Sequence, residues 1–517
     1  MTDTPGSHLS TVSDRNLYSR LERSFARAGD RPVVIGPGLK PRLTYSELRD
    51  EVSRYANALV VLGVEPGDRV TVQMEKSLSA VALSLATLKA GAVYQPLNTA
   101  YTLTEVEYFV EDAEPSLIVC DPSRQVDMRK LADSHGVRAV ISLDDKGGGA
   151  LADLAARMSV DHETVARADD DLAGLLYTSG TTGRSKGAML THRNLASNAE
   201  TLCDIWAFTS NDVLIHALPI YHVHGLFVAL HTVLLSGATL LWLDKFDARM
   251  ILDSLSHATV LMGVPTFYTR LLGLPELNRE SCRKMRLFIS GSAPLLAETH
   301  RQFRERSGHA ILERYGMTET GMITSNPYQG ERIPGTVGYA LPGVDVRIAD
   351  AEGRELPRGE PGVIEVKGPN VFKGYWRNPA KTAEEIRKDG FFITGDVAVM
   401  NEDGRVMIAG RAKDLIITGG FNVYPREVED LIDALPGVGE SAAIGVPHPD
   451  FGEAVIAVIT TTGNVPSEAE LIAAMAERLA KFKLPKRVFT IKELPRNAMG
   501  KVQKAELRKL YADTFAK

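Results

Sequence analysis

Apolar and polar positions along this chain of 517 residues alternate in two textures. From about 43 to 409, helical patterns alternate with short apolar runs. Residues 79–89 read as an apolar helix, Gly91 stops it, and 92–96 reads as a strand. Runs 116–120 and 139–142 are further strands, each preceded by a helical segment. Such strand–helix alternation predicts largely parallel sheets covered by helices. The apolar stretch 225–243 is broken by His231 and by Ser236-Gly237, so it reads as a buried helix, a turn and a strand and not as a membrane span. Near 337–367 the texture changes to short strands separated by turns such as Leu341-Pro342-Gly343 and Glu352-Gly353, a smaller antiparallel portion.

After Gly410 a new unit begins. A helix over 425–435 carries proline in its first turn and stops at Pro436-Gly437. Strands 442–446 and 455–460, a helix 468–481, a strand 487–491 and a terminal helix from Lys504 follow. The expected architecture is a large α/β N-terminal domain (1–410), with parallel-rich sheets, helices and a small antiparallel β portion. A hinge (411–414) leads to a small α+β C-terminal domain (415–517). No internal repeat is visible, and the only low-complexity stretch is the loop-like 147–149.

Two strand-like runs, 172–176 and 188–190, are joined by 177–187 (YTSGTTGRSKG). Glycines let backbone N–H groups crowd an anion, hydroxyls add donors and Lys186 adds a point charge, the parts of a phosphate clamp. The spacing is not that of a Walker A loop, because Lys186 is followed by Gly187 and not preceded by glycine. A net charge of −6 speaks against nucleic-acid or anionic-membrane partners. The polar N-terminal residues lack the apolar core of a secretory signal. Cys120, Cys203 and Cys282 lie far apart with no CxxC pair, which fits core filling in a reducing compartment better than a disulfide framework or zinc cluster.

The loop has companions: 218–225 (LPIYHVHG), 289–294 (ISGSAP), 314–319 (RYGMTE), 394–396 (TGD), 410–414 (GRAKD) and 495–501 (PRNAMGK). In this order and spacing they resemble the motif series of AMP-forming acyl-CoA synthetases, the acyl-adenylate-forming superfamily, over residues 15–512. Runs 221–227, 263–268 and 368–376 are most similar to the malonyl-CoA synthetases within it. The resemblance implies the acyl-adenylate-forming fold and a class 6.2.1 ligase with ATP and CoA as co-substrates and Mg²⁺ as cofactor. A carboxylate attacks the α-phosphate of ATP to give acyl-adenylate and pyrophosphate; the smaller domain rotates, and the CoA thiol displaces AMP. Partners are then small molecules only, with no nucleic acid and no membrane, in a cytoplasmic monomer or homodimer serving fatty acid metabolism.

The same resemblance assigns roles. Lys501, in a Pro/Asn/Gly stretch, bridges the attacking carboxylate and the α-phosphate. Glu319, with Thr178 as oxygen partner, holds Mg²⁺, and Lys186 completes the catalytic set. ATP is expected on Thr178, Ser179, Gly180, Thr181, Thr182, Gly183 and Lys186; on Gly291, Ser292 and Ala293; on Glu313, Arg314, Tyr315, Gly316, Met317 and Thr318; and on Asp396, Arg411 and Lys501. Tyr315 stacks on adenine, and Asp396 accepts the ribose hydroxyls with Arg411. Lys413 is the hinge, and Gly419, Gly420 and Phe421 line the CoA tunnel. His222 lines the acyl pocket, while His224 is read as core. Ser185, proline in many relatives, predicts a more mobile clamp.

A second carboxylate on the substrate demands a cation, because burying it unpaired is prohibitive, and a guanidinium suits it best. Arg286, directly before the strand-like 287–289, is the expected partner, with Thr266 and Met322 as walls. Gly321 and Ile323 stand where asparagines are expected in some malonyl-CoA synthetases. Malonate, methylmalonate and another short or aromatic acid therefore stay open. A non-catalytic nucleotide-binding protein is disfavoured by the intact Lys501, Glu319 and Lys186.

Overall fold

The computed structural model describes residues 14–178, 185–418, 421–463, 466–476, 478–497 and 500–516. Contacts gather the chain into two compact units, one of Met1–Asp247, Met317–Gly321 and Pro369–Ala383, the other of Ala248–Gly316, Met322–Gly368 and Glu384–Lys517. The change of texture near 410 falls inside the second unit.

In the first unit a six-stranded sheet runs in the order Ala139–Ser142, Leu117–Cys120, Arg69–Gln73, Val93–Pro96, Leu172–Thr178, Lys186–Thr191. Its pairs are parallel except the last, which is antiparallel. The helix Leu78–Lys89 is buried along nearly its whole length, which explains its unbroken apolar character. At its end the buried Lys89 ammonium meets Glu22 at 2.5 Å and lies 4.8 Å from the Tyr18 ring centroid. A second set of strands, Val213–His216, Thr239–Trp242 and Pro32–Ile35, is parallel, with Pro41–Thr44 antiparallel at its edge.

The stretch that invited a membrane reading folds as a π-helix His224–Leu230, an α-helix His231–Ser236, a left-handed Gly237 and the strand Thr239–Trp242. Among the described residues no helix is long and apolar enough to cross a membrane. A Cβ on Gly225 would fall 2.0 Å from the Pro219 carbonyl oxygen, so only glycine permits this approach.

The second unit holds the parallel strands Val260–Gly263, Leu287–Ser290 and Leu312–Met317. An antiparallel four-stranded sheet joins Asp345–Ala349, Gly362–Lys367, Phe392–Met400 and Val406–Arg411, as the Pro-Gly turn texture predicts. The C-terminal sheet pairs Ile416–Thr418, Phe421–Val423, Val438–His448, Gly452–Thr461 and Arg487–Thr490. Alternate residues of its long strands feed two apolar clusters, one with Ala443, Val455 and Ala457 against Val428 and Leu471, the other with Ile444, Ile456 and Val458 against Leu507. That period-two split is what a sheet covered on both faces requires. The helix expected over 468–481 is described over Glu468–Ala476, and Lys481–Lys483 form a separate 3-10 turn after Ala480 turns extended.

Candidate active site

Antiparallel register places Thr178 opposite Lys186, so the strand pair holds both ends of the clamp together. Ser179, Gly180, Thr181, Thr182 and Gly183 lie outside the described residues. The Ser185 carbonyl accepts the Tyr108 hydroxyl at 2.6 Å, which tethers the chain where Ser185 alone suggested mobility. Glu319 is 5% exposed, and its Oε1 accepts from the Thr178 and Tyr375 hydroxyls, each at 3.2 Å. The Lys186 ammonium lies 4.2 Å from the Tyr375 ring centroid. Burial raises the Glu319 pKa, opposed by hydrogen bonds from its own backbone and Tyr375, the Lys186 charge and the Thr178 hydroxyl.

Glu319 and Thr178 form an oxygen-only donor pair, which suits a hard cation bound mainly through substrate phosphates. Among the described residues no cluster of three or more His, Cys, Asp or Glu that could hold a metal ion occurs. His222 is half-buried and its Nδ1 accepts the His224 N–H at 3.4 Å, while His224 is buried in the π-helix, matching its core reading. Gly321 has φ 59°, and a Cβ there would lie 2.6 Å from Asn198 Oδ1. A side chain at 321 would need a left-handed backbone and displacement of the Asn198 amide.

In the second unit Gly291, Ser292 and Ala293 follow the carboxyl end of strand Leu287–Ser290, and Glu313 to Gly316 lie within the neighbouring strand Leu312–Met317. Ser290 pairs with Glu313, which sets Gly291 against Arg314. A Cβ on Gly291 would lie 2.4 Å from Arg314 Cζ, so the guanidinium packs directly on glycine backbone. Ser292 adopts φ 70°, left-handed backbone beside this contact. Arg314 is 3% exposed, and among the described residues its Nε and Nη2 have no hydrogen-bond partner. Burial pulls its pKa down to about 9, with the neighbouring Tyr268 opposing. A desolvated guanidinium with free donors is costly unless an anion joins it.

The fold brings Tyr315, Asp396 and Arg411 together. The Tyr315 hydroxyl donates to Asp396 Oδ2 at 2.5 Å, and Arg411 Nε meets Oδ1 at 2.7 Å. Each carboxylate oxygen keeps a further lone pair for a ribose hydroxyl. Arg286 is half-buried, its guanidinium 5.1 Å from the Tyr328 ring centroid and its N–H bonded to the Thr259 carbonyl at 2.8 Å. Met322 is buried and Thr266 half-buried, in the first turn of Pro265–Leu272. A Cβ on Gly500 would lie 3.7 Å from Thr266 Cγ2, so the turn carrying Lys501 packs on Thr266. That turn is closed by Asn497: its N–H donates to the Lys501 carbonyl, and its Oδ1 accepts the Lys501 N–H, both at 3.0 Å.

Lys413 is exposed in the 3-10 turn Ala412–Asp414, which Arg508 ties through Asp414 at 2.6 Å. Phe421 is 56% exposed and stacks on Phe482 at 4.7 Å; Gly419 and Gly420 lie outside the described residues.

Glu313 is buried, and its Oε1 accepts the Gly335 N–H at 3.3 Å. Burial pushes its pKa up to about 8 from 4.5, with the Arg426 charge opposing. The folded chain thus keeps a proton that the unfolded chain releases above about 4.5, so this contribution to stability is full below that pH and is lost as pH rises through about 8. Glu313→Gln should therefore hold its melting temperature between pH 5 and 8 better than the unsubstituted protein does. Parallel decline of the two melting curves would contradict a neutral Glu313.

By motif Arg314 falls within the nucleotide run, and Tyr375 carries no role of its own. The available signal for Arg314 is a permanent charge inside a strand, two residues before Gly316. For Tyr375 there is none, because its partners lie far away in sequence.

The AMP-binding enzyme family matches residues 21–376, and the AMP-binding enzyme C-terminal domain matches 427–501. The mitochondrial malonate–CoA ligase of Mus musculus is 37% identical, over 94% of this chain and 90% of its own. A feruloyl-CoA synthase of Amycolatopsis is 35% identical, over 91% and 94% respectively. The crystal structure of ATP-bound MatB from Rhodopseudomonas palustris is 56% identical, covers 97% of this chain and 100% of that one, and superposes with a TM-score of 0.94. Malonyl-CoA synthetases are thus among its similar relatives, and the chain belongs to the AMP-binding enzyme family as an AMP-forming acid–CoA ligase with the acyl-adenylate-forming fold.

Proposed function

We propose that the protein ligates malonate to coenzyme A through malonyl-adenylate, with release of pyrophosphate and then AMP. The buried Arg314, with Nε and Nη2 unpartnered among the described residues, carries this reading. A dicarboxylate supplies the anion that such a guanidinium lacks, and two parallel N–H donors match carboxylate geometry. A monocarboxylate would leave those donors desolvated and unpaired. Arg286, half-buried with its guanidinium 5.1 Å from the Tyr328 ring centroid, is the second candidate cation for the distal carboxylate. The similarity to malonate–CoA ligase supports the same choice.

Two negative groups must meet in the first half-reaction, the acid's proximal carboxylate and the α-phosphate. Lys501 offsets that repulsion from its turn against Thr266. Tyr315, Asp396 and Arg411 orient the adenosine. Glu319 and Thr178 would hold Mg²⁺, which supplies charge neutralisation at the phosphates, while Lys186 adds an ammonium from the end of the clamp. Lys413 is the proposed pivot that exchanges the Lys501 turn for the loop at Phe421, which receives CoA. Incubation with malonate, ATP and CoA should yield malonyl-CoA, AMP and pyrophosphate in equal amounts by mass spectrometry. ADP and phosphate in their place, or no thioester, would overturn the reading.

A further inference from the structure

Residues 373–376 run antiparallel beside the strand that starts at Lys186. The Lys373 N–H donates to the Met189 carbonyl at 3.0 Å, Met189 N–H to Gly374 at 3.0 Å, and Trp376 N–H to Gly187 at 2.8 Å. Ala188 and Tyr375 form an antiparallel bridge. Gly187 lets the two chains close, since a Cβ there would already lie 3.3 Å from Trp376 Cβ.

The same segment grips the turn that carries Glu319. Phe372 N–H donates to the Glu319 carbonyl at 2.8 Å, and the Asn370 amide donates to the Thr320 carbonyl at 2.8 Å. Tyr375 sits where the two sets of contacts meet. It is 3% exposed, its N–H is held by Thr382 Oγ1 at 2.9 Å, and its ring packs edge-on to Phe372 with centroids 4.8 Å apart. From that fixed position its hydroxyl reaches the Glu319 carboxylate and its ring face carries the Lys186 ammonium.

We propose that Tyr375 is a positioning residue that fixes the Glu319 carboxylate through its hydroxyl and the Lys186 ammonium through its ring face, presenting both to the nucleotide's phosphates. The inference rests on the reading of Glu319 and Lys186 as phosphate-handling groups. Its two contacts separate by substitution, because phenylalanine removes the hydroxyl and keeps the ring, whereas leucine removes both. A hydrogen bond to a charged group and a cation–π contact are each strong enough to be read in affinity.

The test is calorimetric binding of α,β-methylene ATP, once with Mg²⁺ and once in excess chelator, with thermal melting as a check on folding. Tyr375→Phe should weaken binding about tenfold with Mg²⁺ and leave binding in chelator unchanged. Tyr375→Leu should weaken both. Equal weakening of Tyr375→Phe in the two conditions, or no change with Mg²⁺, overturns the inference. Glu319→Gln and Lys186→Met serve as references. If they bind the analogue normally, the roles given to those residues fail and the inference fails with them. If they are impaired while Tyr375→Phe is not, the inference alone fails.

Discussion

Lys501→Ala should cut malonyl-adenylate formation roughly 10²–10³-fold, the loss typical of removing one preorganised charge-stabilising donor, while pre-formed malonyl-adenylate and CoA still give thioester at a rate within about threefold of the unsubstituted enzyme. The asymmetry follows from where charge develops. Carboxylate and α-phosphate carry like charges, and the bridging ammonium matters most as they approach. Thioester formation brings a thiol to a mixed anhydride and has no second anion to be offset. Lys501 is exposed on a turn closed by Asn497 and seated through Gly500 on Thr266. Its side chain supports no core, so alanine leaves the fold intact. Pyrophosphate release and thioester formation, each in single turnover, separate the two steps. Equal losses in both would remove Lys501 from the adenylating role.

Arg314→Met should reverse the preference between acids. Loss of the guanidinium is expected to cost about 2–5 kcal/mol in transition-state binding of malonate, roughly 30-fold to several thousand-fold in kcat/KM. Butyrate, which offers no second anion, should lose little or gain. The same substitution should raise the melting temperature of the substrate-free protein. Replacing a buried charge by an apolar side chain of similar volume is often stabilising, and here no partner of Nε or Nη2 is stranded among the described residues. Parallel falls for malonate and butyrate, or a lower melting temperature, would make Arg314 a structural residue.

The elements were readable where local pattern and environment agree. Strand Ala139–Ser142 lies where alternation placed it, and Leu78–Lys89 differs by one residue from the expected helix. The antiparallel strands of the second unit follow from their Pro-Gly and Glu-Gly turns. Tyr315, Asp396 and Arg411 each lie in a run with its own signature, and the fold brings their side chains together. What sequence did not show depends on tertiary register. The buried state of Arg314 arises because Gly291 lies directly across from it, a consequence of pairing Ser290 with Glu313. Arg286 carries the same charge before a strand, but the chain sets it on Tyr328. The glycine at 321 reads as a departure until Asn198 is seen to fill the space a side chain would need. Tyr375 meets Glu319 and Lys186 only through pairing of 373–376 with a strand far upstream.

Initial rates of pyrophosphate release by the unsubstituted enzyme, compared across malonate, methylmalonate, acetate, butyrate, benzoate and ferulate, address the substrate directly. If Arg314 awaits a second carboxylate, kcat/KM for malonate should exceed that for acetate and butyrate by at least about 30-fold, the lower bound set by one desolvated charge pair. Methylmalonate should retain part of the advantage, because it keeps both carboxylates. Benzoate, ferulate or butyrate turned over as well as malonate would contradict a dicarboxylate site.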